Sequence, residues 1–454
     1  MKKNIILFKN NLRVNDNPVL KAASFESLLL PVYIHDESYK TKKLGSASLY
    51  FLYHSLKSLS KSLDYKLQFF KGDTCQILTQ LVKENNIRSI YVEEFFDREE
   101  IDFFDKLKST LYKINVKLKI INSQLLWNPK NILKDDNTPY KVFSPFYKRK
   151  CIFITPEFPV GQVSELNFID SKLHNDIDSL SLLSKYPWYE KFDQQYDISE
   201  NGALDILSNF IIEKIHNYKV GRDYPGEYFN SKLSPFIRFG LLSINRIWHE
   251  VNSLPESPSR NHYLSELGWR EFSYYQLYHF PEMAKKNLQN KFDNYEWEND
   301  MEYFEAWKMG NTGYPFVDAG MRELWKTGFM HNRLRMIVAS FLVKNLQIDW
   351  RLGERWFWDC LIDADYASNV AGWQWAAGTG VDAAPYFRIF NPILQGKKFD
   401  AKGKYIKTYI PEISSLDMKT LHEPWTQNHG LDYPKPIIDF KQSRNKALSL
   451  YSSL

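Results

Sequence analysis

Between residues 356 and 400 the chain reads WFWDCLIDADYASNVAGWQWAAGTGVDAAPYFRIFNPILQGKKFD, the densest block of reactive side chains in the sequence. The aspartates Asp363 and Asp365, the amide Asn369 and the indoles Trp373 and Trp375 precede a glycine-rich GTG at 378–380. Two chemistries suit them. As general acid and base, the aspartates would cleave a glycoside over a tryptophan platform. Residues two apart on a helix diverge by about 200°, so such a pair cannot flank one bond unless the segment is a loop. Alternatively, the carboxylates and amide hydrogen-bond the edge of a flat aromatic cofactor while the indoles stack on it or exchange electrons with it. The same divergence then turns Trp373 and Trp375 towards two neighbourhoods of one cofactor. A single tryptophan is more often core; the whole constellation is not.

The elements that must carry this block come from a chain of 454 residues, long enough for two domains or one bilobed unit. Hydrophobic residues at 44% and charged residues at 25% are ordinary for a globular protein, whereas 16% aromatic content is high and asks for a reason beyond packing. The net charge of +5 permits a polyanion at a local patch without requiring one. Cys75, Cys151 and Cys360 are far apart, with no CxxC and no His at metal spacing; this points to a reducing compartment and to no zinc site. Lys9 interrupts the start MKKNIILFKNN too early for a signal peptide, and the longest apolar run, 336–343, is too short to span a bilayer. A soluble, cytoplasmic protein is expected.

Up to residue 125, apolar runs at 5–8, 28–34, 67–70, 89–92 and 116–121 alternate with helical spacing at 46–61, 74–83 and 99–111. Alternation of this kind predicts an α/β domain with a parallel sheet. No GxGxxG and no P-loop accompanies it. Residues 126–200, with Asn128-Pro129, Thr138-Pro139, Ser144-Pro145, Thr155-Pro156 and a polar tract around 166–186, read as an interdomain connection. From 201 to 454 the spacing is helical, at 204–216, 243–251, 262–278, 316–326 and 333–345. Only Trp127 and Trp188 precede this part; the other 11 of the 13 tryptophans lie from Trp248 onward, so the second domain carries the aromatic chemistry.

Five segments resemble the photolyase/cryptochrome flavoproteins: NLRVNDNPVL (11–20), YKVGRDYPGEYFNSKLSPFIRFG (218–240), SELGWREF (265–272), GNTGYPFVDAGMRELWKTGFMHNRLRM (310–336) and the block above. Within the family the chain is similar to class I cyclobutane pyrimidine dimer photolyases, with Met336 after HNRLR as the discriminating position. The resemblance implies a flavodoxin/Rossmann-like antenna domain, an all-α FAD-binding domain, and light-driven repair of UV-damaged DNA containing pyrimidine dimers by a monomer with no obligate protein partner. A cryptochrome-type photoreceptor is the alternative on the same fold; the intact dimer-pocket set and the lack of a signalling extension after Tyr451 favour repair. A carbohydrate enzyme or lectin is the third class.

The resemblance also implies roles. Tyr218 and the run Asn230, Ser231, Lys232, Leu233, Ser234 would hold the FAD diphosphate and ribityl chain, with Asn230 and Lys232 standing where Thr and Arg are common. Tyr263, Asn332 and Ala364 complete the cofactor set. Asn369 would face flavin N5, Arg335 and Asp365 would pair beside it, and Asp363 would bind the ring edge. Trp297, Trp350 and Trp373 would relay electrons. Glu266, Trp269, Arg270, Asn332, Met336 and Trp375 would line the substrate pocket, with Glu266, Met336 and Asn369 catalytic, and Arg222, Arg333 and Gln395 would touch the DNA backbone. A second antenna chromophore, folate or deazaflavin, is left open: Phe96 and Asp97 replace Asn and Glu, Lys43 replaces a His, and Lys285 is kept.

Overall fold

The computed structural model describes residues 2–163, 165–170, 175–192, 196–427, 430 and 432–454. Met1, at the head of the basic start, and residues 171–174 of the polar tract lie outside them. Strands β1 (Lys2–Phe8), β2 (Ser27–His35), β3 (Gln68–Lys71), β4 (Ser89–Glu93) and β5 (Lys117–Ile121) pair in parallel in the order β3-β2-β1-β4-β5. This is the Rossmann order without its sixth strand; a flavodoxin sheet would run 2-1-3-4-5. Central β1 is buried from Asn4 to Phe8, as expected of a strand covered on both faces.

Helices α1 (Pro18–Ser24), α2 (Ser46–Ser62), α3 (Thr74–Asn85) and α4 (Arg98–Tyr112) connect the strands. The spacing anticipated every one of these elements except α1. Its seven residues are too few to show a 3.6-residue period. Asn17, whose side chain accepts from the Leu20 amide, and Pro18 in the first turn start it.

In the connection lies α5 (Phe143–Arg149). The helical part begins with α6 (Glu200–Asn209), α7 (Tyr218–Gly221), α8 (Ser234–Arg238), α9 (Ile244–Asn252) and α10 (Pro258–His279). It continues through α11 (Met301–Met309), α12 (Pro315–Thr327), α13 (Asn332–Ser340), α14 (Trp350–Cys360) and α15 (Tyr366–Ala377), and ends with α16 (Pro392–Phe399), α17 (Lys404–Tyr409) and α18 (Phe440–Ser452). Two helices expected as single units change winding. The 204–216 pattern becomes α6, a π turn at Phe210–Lys214 and a 3₁₀ turn at Ile215–Asn217; the 333–345 pattern becomes α13 and a π turn at Phe341–Asn345. Side-chain periodicity does not distinguish these windings.

The NLRVNDNPVL segment forms a seam between the domains. Leu12 N donates to Phe239 O at 3.1 Å and Arg13 Nη1 to Gly240 O at 3.0 Å, while Val14 and Asn15 amides donate to Glu200, both at 2.9 Å. Gly240 has φ +68°, and a Cβ there would fall 1.9 Å from Asn10 O, so glycine is required for this approach. Across the same seam Phe51 packs on Phe236 and Phe239 at 5.4 and 5.3 Å, joining the two cores. Among the described residues no helix is long and apolar enough to cross a membrane.

Candidate active site

Three helices of the second part line a common cavity of about 570 Å³. From α10 come Glu266, Trp269, Arg270 and Ser273; from α13, Asn332, Arg335, Met336 and Ala339; from α15 and its cap, Asp365, Ser368, Asn369 and Gly372. Each set follows the i, i+3, i+4, i+7 spacing of one helix face, so its members meet although they are scattered in sequence. Trp373, Trp375, Asp363, Ala364, Ser234 and Arg222 complete the expected residues in the wall.

Asp363 and Asp365 do not lie on a helix. Asp363 occupies the turn after α14, and Asp365 is the N-cap of α15, accepting from Ser368 N at 2.8 Å. The helical divergence therefore separates Trp373 from Trp375 and says nothing about the aspartates. The expected Arg335–Asp365 pair is also corrected. Arg335 Nη2 donates to the two oxygens of Asp363 at 3.1 and 2.9 Å, Ser234 Oγ donates to Asp363 Oδ2 at 2.6 Å, and Asp365 instead accepts from the Tyr274 hydroxyl. Burial, and after it that carboxylate, hold the Tyr274 phenol well above its usual range. The turn places Asp363 towards α13 and Asp365 towards α10, which a residue count cannot foresee.

Near the 230–234 run, Tyr263 donates to Ser231 Oγ at 3.3 Å and its ring packs against Tyr218 at 5.1 Å; Leu233 is fully buried. Lys232 adopts φ +56°, uncommon for a non-glycine residue, and burial lowers its pKa. Of this set only Ser234 lines the cavity; Asn230, Ser231, Lys232, Leu233, Tyr218 and Tyr263 do not.

Among the DNA candidates, Arg222 is engaged within the protein: it ion-pairs with Glu266, and its Nη1 lies 2.8 Å from His262 Nε2. Arg333 pairs with Asp223 and lies 4.4 Å from the Phe399 ring centroid; Gln395 has a buried Oε1 without a partner. Both arginines are thus held by carboxylates within the protein. Trp269 has one face covered by Phe143, stacked at 3.8 Å and 13°. Phe143 escaped the sequence reading because it lies in the connection. Arg270 donates to Glu271 Oε1 at 2.8 Å and Gln124 O at 3.0 Å.

Trp373 is buried, with an unpartnered Nε1. Its near rings are Phe357 at 4.9 Å and Trp307 at 6.2 Å; Trp307 was not singled out in the sequence. A Cβ on Gly353 would meet Trp373 Cη2 at 2.1 Å, so glycine at this position of α14 admits the indole. Trp350, one turn earlier, is fully buried with Nε1 donating to Asn287 Oδ1 at 2.9 Å, and half-buried Trp297 packs on Tyr295 at 4.4 Å. Another residue missed in the sequence is Glu354, which accepts from Asn369 Nδ2.

The donor set fits a flavin. Apolar Phe357, Leu361 and Ala364 share the cavity with Ser234, Arg335, Asp363 and Asn369, and the orphaned Trp373 Nε1 adds an unmet donor to that wall. A smaller cavity of about 60 Å³ lies at the domain junction, bounded by Lys40, Lys42, Phe96, Asp97, Arg238 and Trp358. Of the remaining antenna candidates, Asp97 caps α4 through Glu100 N, Lys285 Nζ is 3.7 Å from Glu99, and Lys43 offers its carbonyl to Trp358 Nε1 at 2.6 Å.

A parallel α/β domain docked on a helical domain with such a cavity defines a two-domain, FAD-binding class of protein. Family models described as the FAD binding domain of DNA photolyase and as DNA photolyase match residues 263–453 and 4–162. The chain belongs to the DNA photolyase family. It is 39% identical over 471 residues to a deoxyribodipyrimidine photo-lyase of Agrobacterium fabrum, covering 99% of this chain and 98% of that one. A crystal structure of a class III photolyase from Agrobacterium tumefaciens superposes with a TM-score of 0.96 at 38% identity, over 100% of this chain and 98% of that one. Two further solved structures are each 30% identical. An archaeal photolyase from Sulfolobus tokodaii with two FAD molecules has a TM-score of 0.87 and full coverage of both chains; a Synechocystis cryptochrome has 0.89 and 99% of each.

Proposed function

We propose that this protein is a deoxyribodipyrimidine photo-lyase that splits cyclobutane pyrimidine dimers in DNA, with FAD in the large cavity. One observation carries the reading: a single wall holds both the flavin set, Ser234, Arg335, Asp363 and Asn369, and the substrate set, Glu266, Trp269, Met336 and Trp375. FAD held there would supply light-driven one-electron chemistry for opening the cyclobutane ring. The chain's residues do the rest. Arg335, held in place by Asp363, would offer its guanidinium to the negative charge of a reduced ring. Glu266, steered by Arg222, offers acceptors to the pyrimidine edges, while Trp269 and Trp375 give apolar faces. Photolyases are among the enzymes that take the target base out of the duplex. Trp373, Trp350 and Trp297 form the electron route, and Arg222, Arg333 and Gln395 border the DNA path.

For the finer class, the Agrobacterium class III structure at 38% identity supports class III beside the class I expected from Met336. The regions 1–125, 126–200 and 201–454 serve as antenna domain, connection and catalytic domain. A second chromophore of open identity, a monomeric state and a cytoplasmic location complete the proposal, the last supported by three cysteines outside any disulfide. Purified protein should be yellow, and stripped protein should recover its visible spectrum with FAD. A colourless preparation that FAD cannot reconstitute contradicts the reading.

A further inference from the structure

Glu354, held by Lys42 of the first domain, is a positioning residue, we infer, that fixes the Asn369 amide with its oxygen turned to flavin N5. The inference rests on the flavin placement proposed above. Asn369 Nδ2 donates to the Glu354 backbone carbonyl at 3.1 Å and to Glu354 Oε1 at 2.7 Å. Both partners are acceptors, so turning the amide over would set oxygen against oxygen. Asn369 Oδ1 is therefore the atom left for the cavity that Asn369 lines.

What keeps Glu354 an acceptor is Lys42. The Glu354 side chain is only 8% exposed, and a buried charge persists when it is paired. Lys42 Nζ contacts the same Oε1 that receives Asn369 and lies 4.6 Å from the Trp358 ring centroid. Lys42 borders the small junction cavity while Asn369 borders the large one. Lys42, Glu354 and Asn369 thus form one hydrogen-bonded chain through the wall between the cavities, from the first domain to the flavin.

An acceptor at N5 favours the flavin form that carries N5–H; a donor there favours the oxidised form, whose N5 has only a lone pair. The chain therefore raises the flavin's reduction potential. Redox titration of FAD-loaded protein tests this. Glu354→Leu removes the oxygen and should make the potential about 30 mV more negative, a tenfold change in the oxidised-to-reduced ratio for a two-electron couple. Glu354→Gln, which keeps an acceptor oxygen, should stay near wild type. Lys42→Met should shift in the same direction as Glu354→Leu, and Lys42→Arg should restore the potential. If Glu354→Leu is too unstable, the Lys42→Met/Glu354→Leu pair removes the unpaired charge and should show the same shift. In an Asn369→Leu background, which itself moves the potential, Glu354→Leu should add nothing. A potential moved by Asn369→Leu but not by Glu354→Leu or Lys42→Met overturns the positioning role and leaves the flavin placement standing. No shift in any of these variants overturns the placement of flavin against Asn369, and the inference with it.

Discussion

Arg335 and Asp363, 28 residues apart in the chain, meet through one guanidinium nitrogen, Nη2, at 3.1 and 2.9 Å from the two carboxylate oxygens. The Asp363 side chain is 3% exposed and that of Arg335 is 26% exposed. Removing one partner of a buried pair costs about 3–5 kcal/mol because it strands the other. Asp363→Asn should therefore weaken FAD binding by roughly a hundredfold or more. Flavin fluorescence during dilution reads this directly; an unchanged dissociation constant would show that the pair serves only the fold.

Gly353 should not tolerate a methyl group. Alanine would bring Cβ to 2.1 Å from Trp373 Cη2. Overpacking of this kind costs about 1–3 kcal/mol. Gly353→Ala should lower the melting temperature and slow photoreduction of oxidised flavin, while chemically reduced enzyme still repairs. Unaltered photoreduction in this variant would remove Trp373 from the electron route.

Electron supply and substrate contact should separate by mutation. Trp297→Phe is expected to lose photoreduction of oxidised flavin yet repair dimers once the flavin is reduced chemically. Glu266→Ala is expected to lower repair yield with photoreduction intact. Paired photoreduction and repair assays decide this, and equal losses in both assays for both variants contradict the two roles.

Glu93 and Glu271 give the stability a pH dependence. Burial raises each carboxyl from its ordinary value to about 7, opposed at Glu93 by the Asn10 amide and at Glu271 by Arg270. A folded pKa above the unfolded one means stability fully present below about 4.5 and lost as pH rises through about 7. Glu93→Gln, always neutral, should gain on wild type by roughly 2–3 kcal/mol between pH 4.5 and 7.5. Urea unfolding of both proteins across that range is the check; a constant difference would mean that folding leaves the ionisation of Glu93 unchanged.

The α/β half was almost fully legible because alternating apolar runs report burial directly, and α1 was missed only for its shortness. The site was legible where helix faces place it: the stripes of α10 and α13 follow from spacing within one element. Partner choice was not. Arg335 bonds Asp363 instead of Asp365 because the turn at 361–364 directs the two carboxylates to different helices. Phe143 on Trp269 and Glu354 on Asn369 join segments 126 and 15 residues apart, respectively, through tertiary packing that no local pattern carries.

The most direct measurement is repair of a thymine-dimer oligonucleotide by FAD-loaded, reduced protein, compared in light and in darkness. Dimer loss is expected in light alone, with damaged-DNA binding that weakens as salt rises. Illuminated, flavin-loaded protein that leaves the dimers intact would contradict the proposed function.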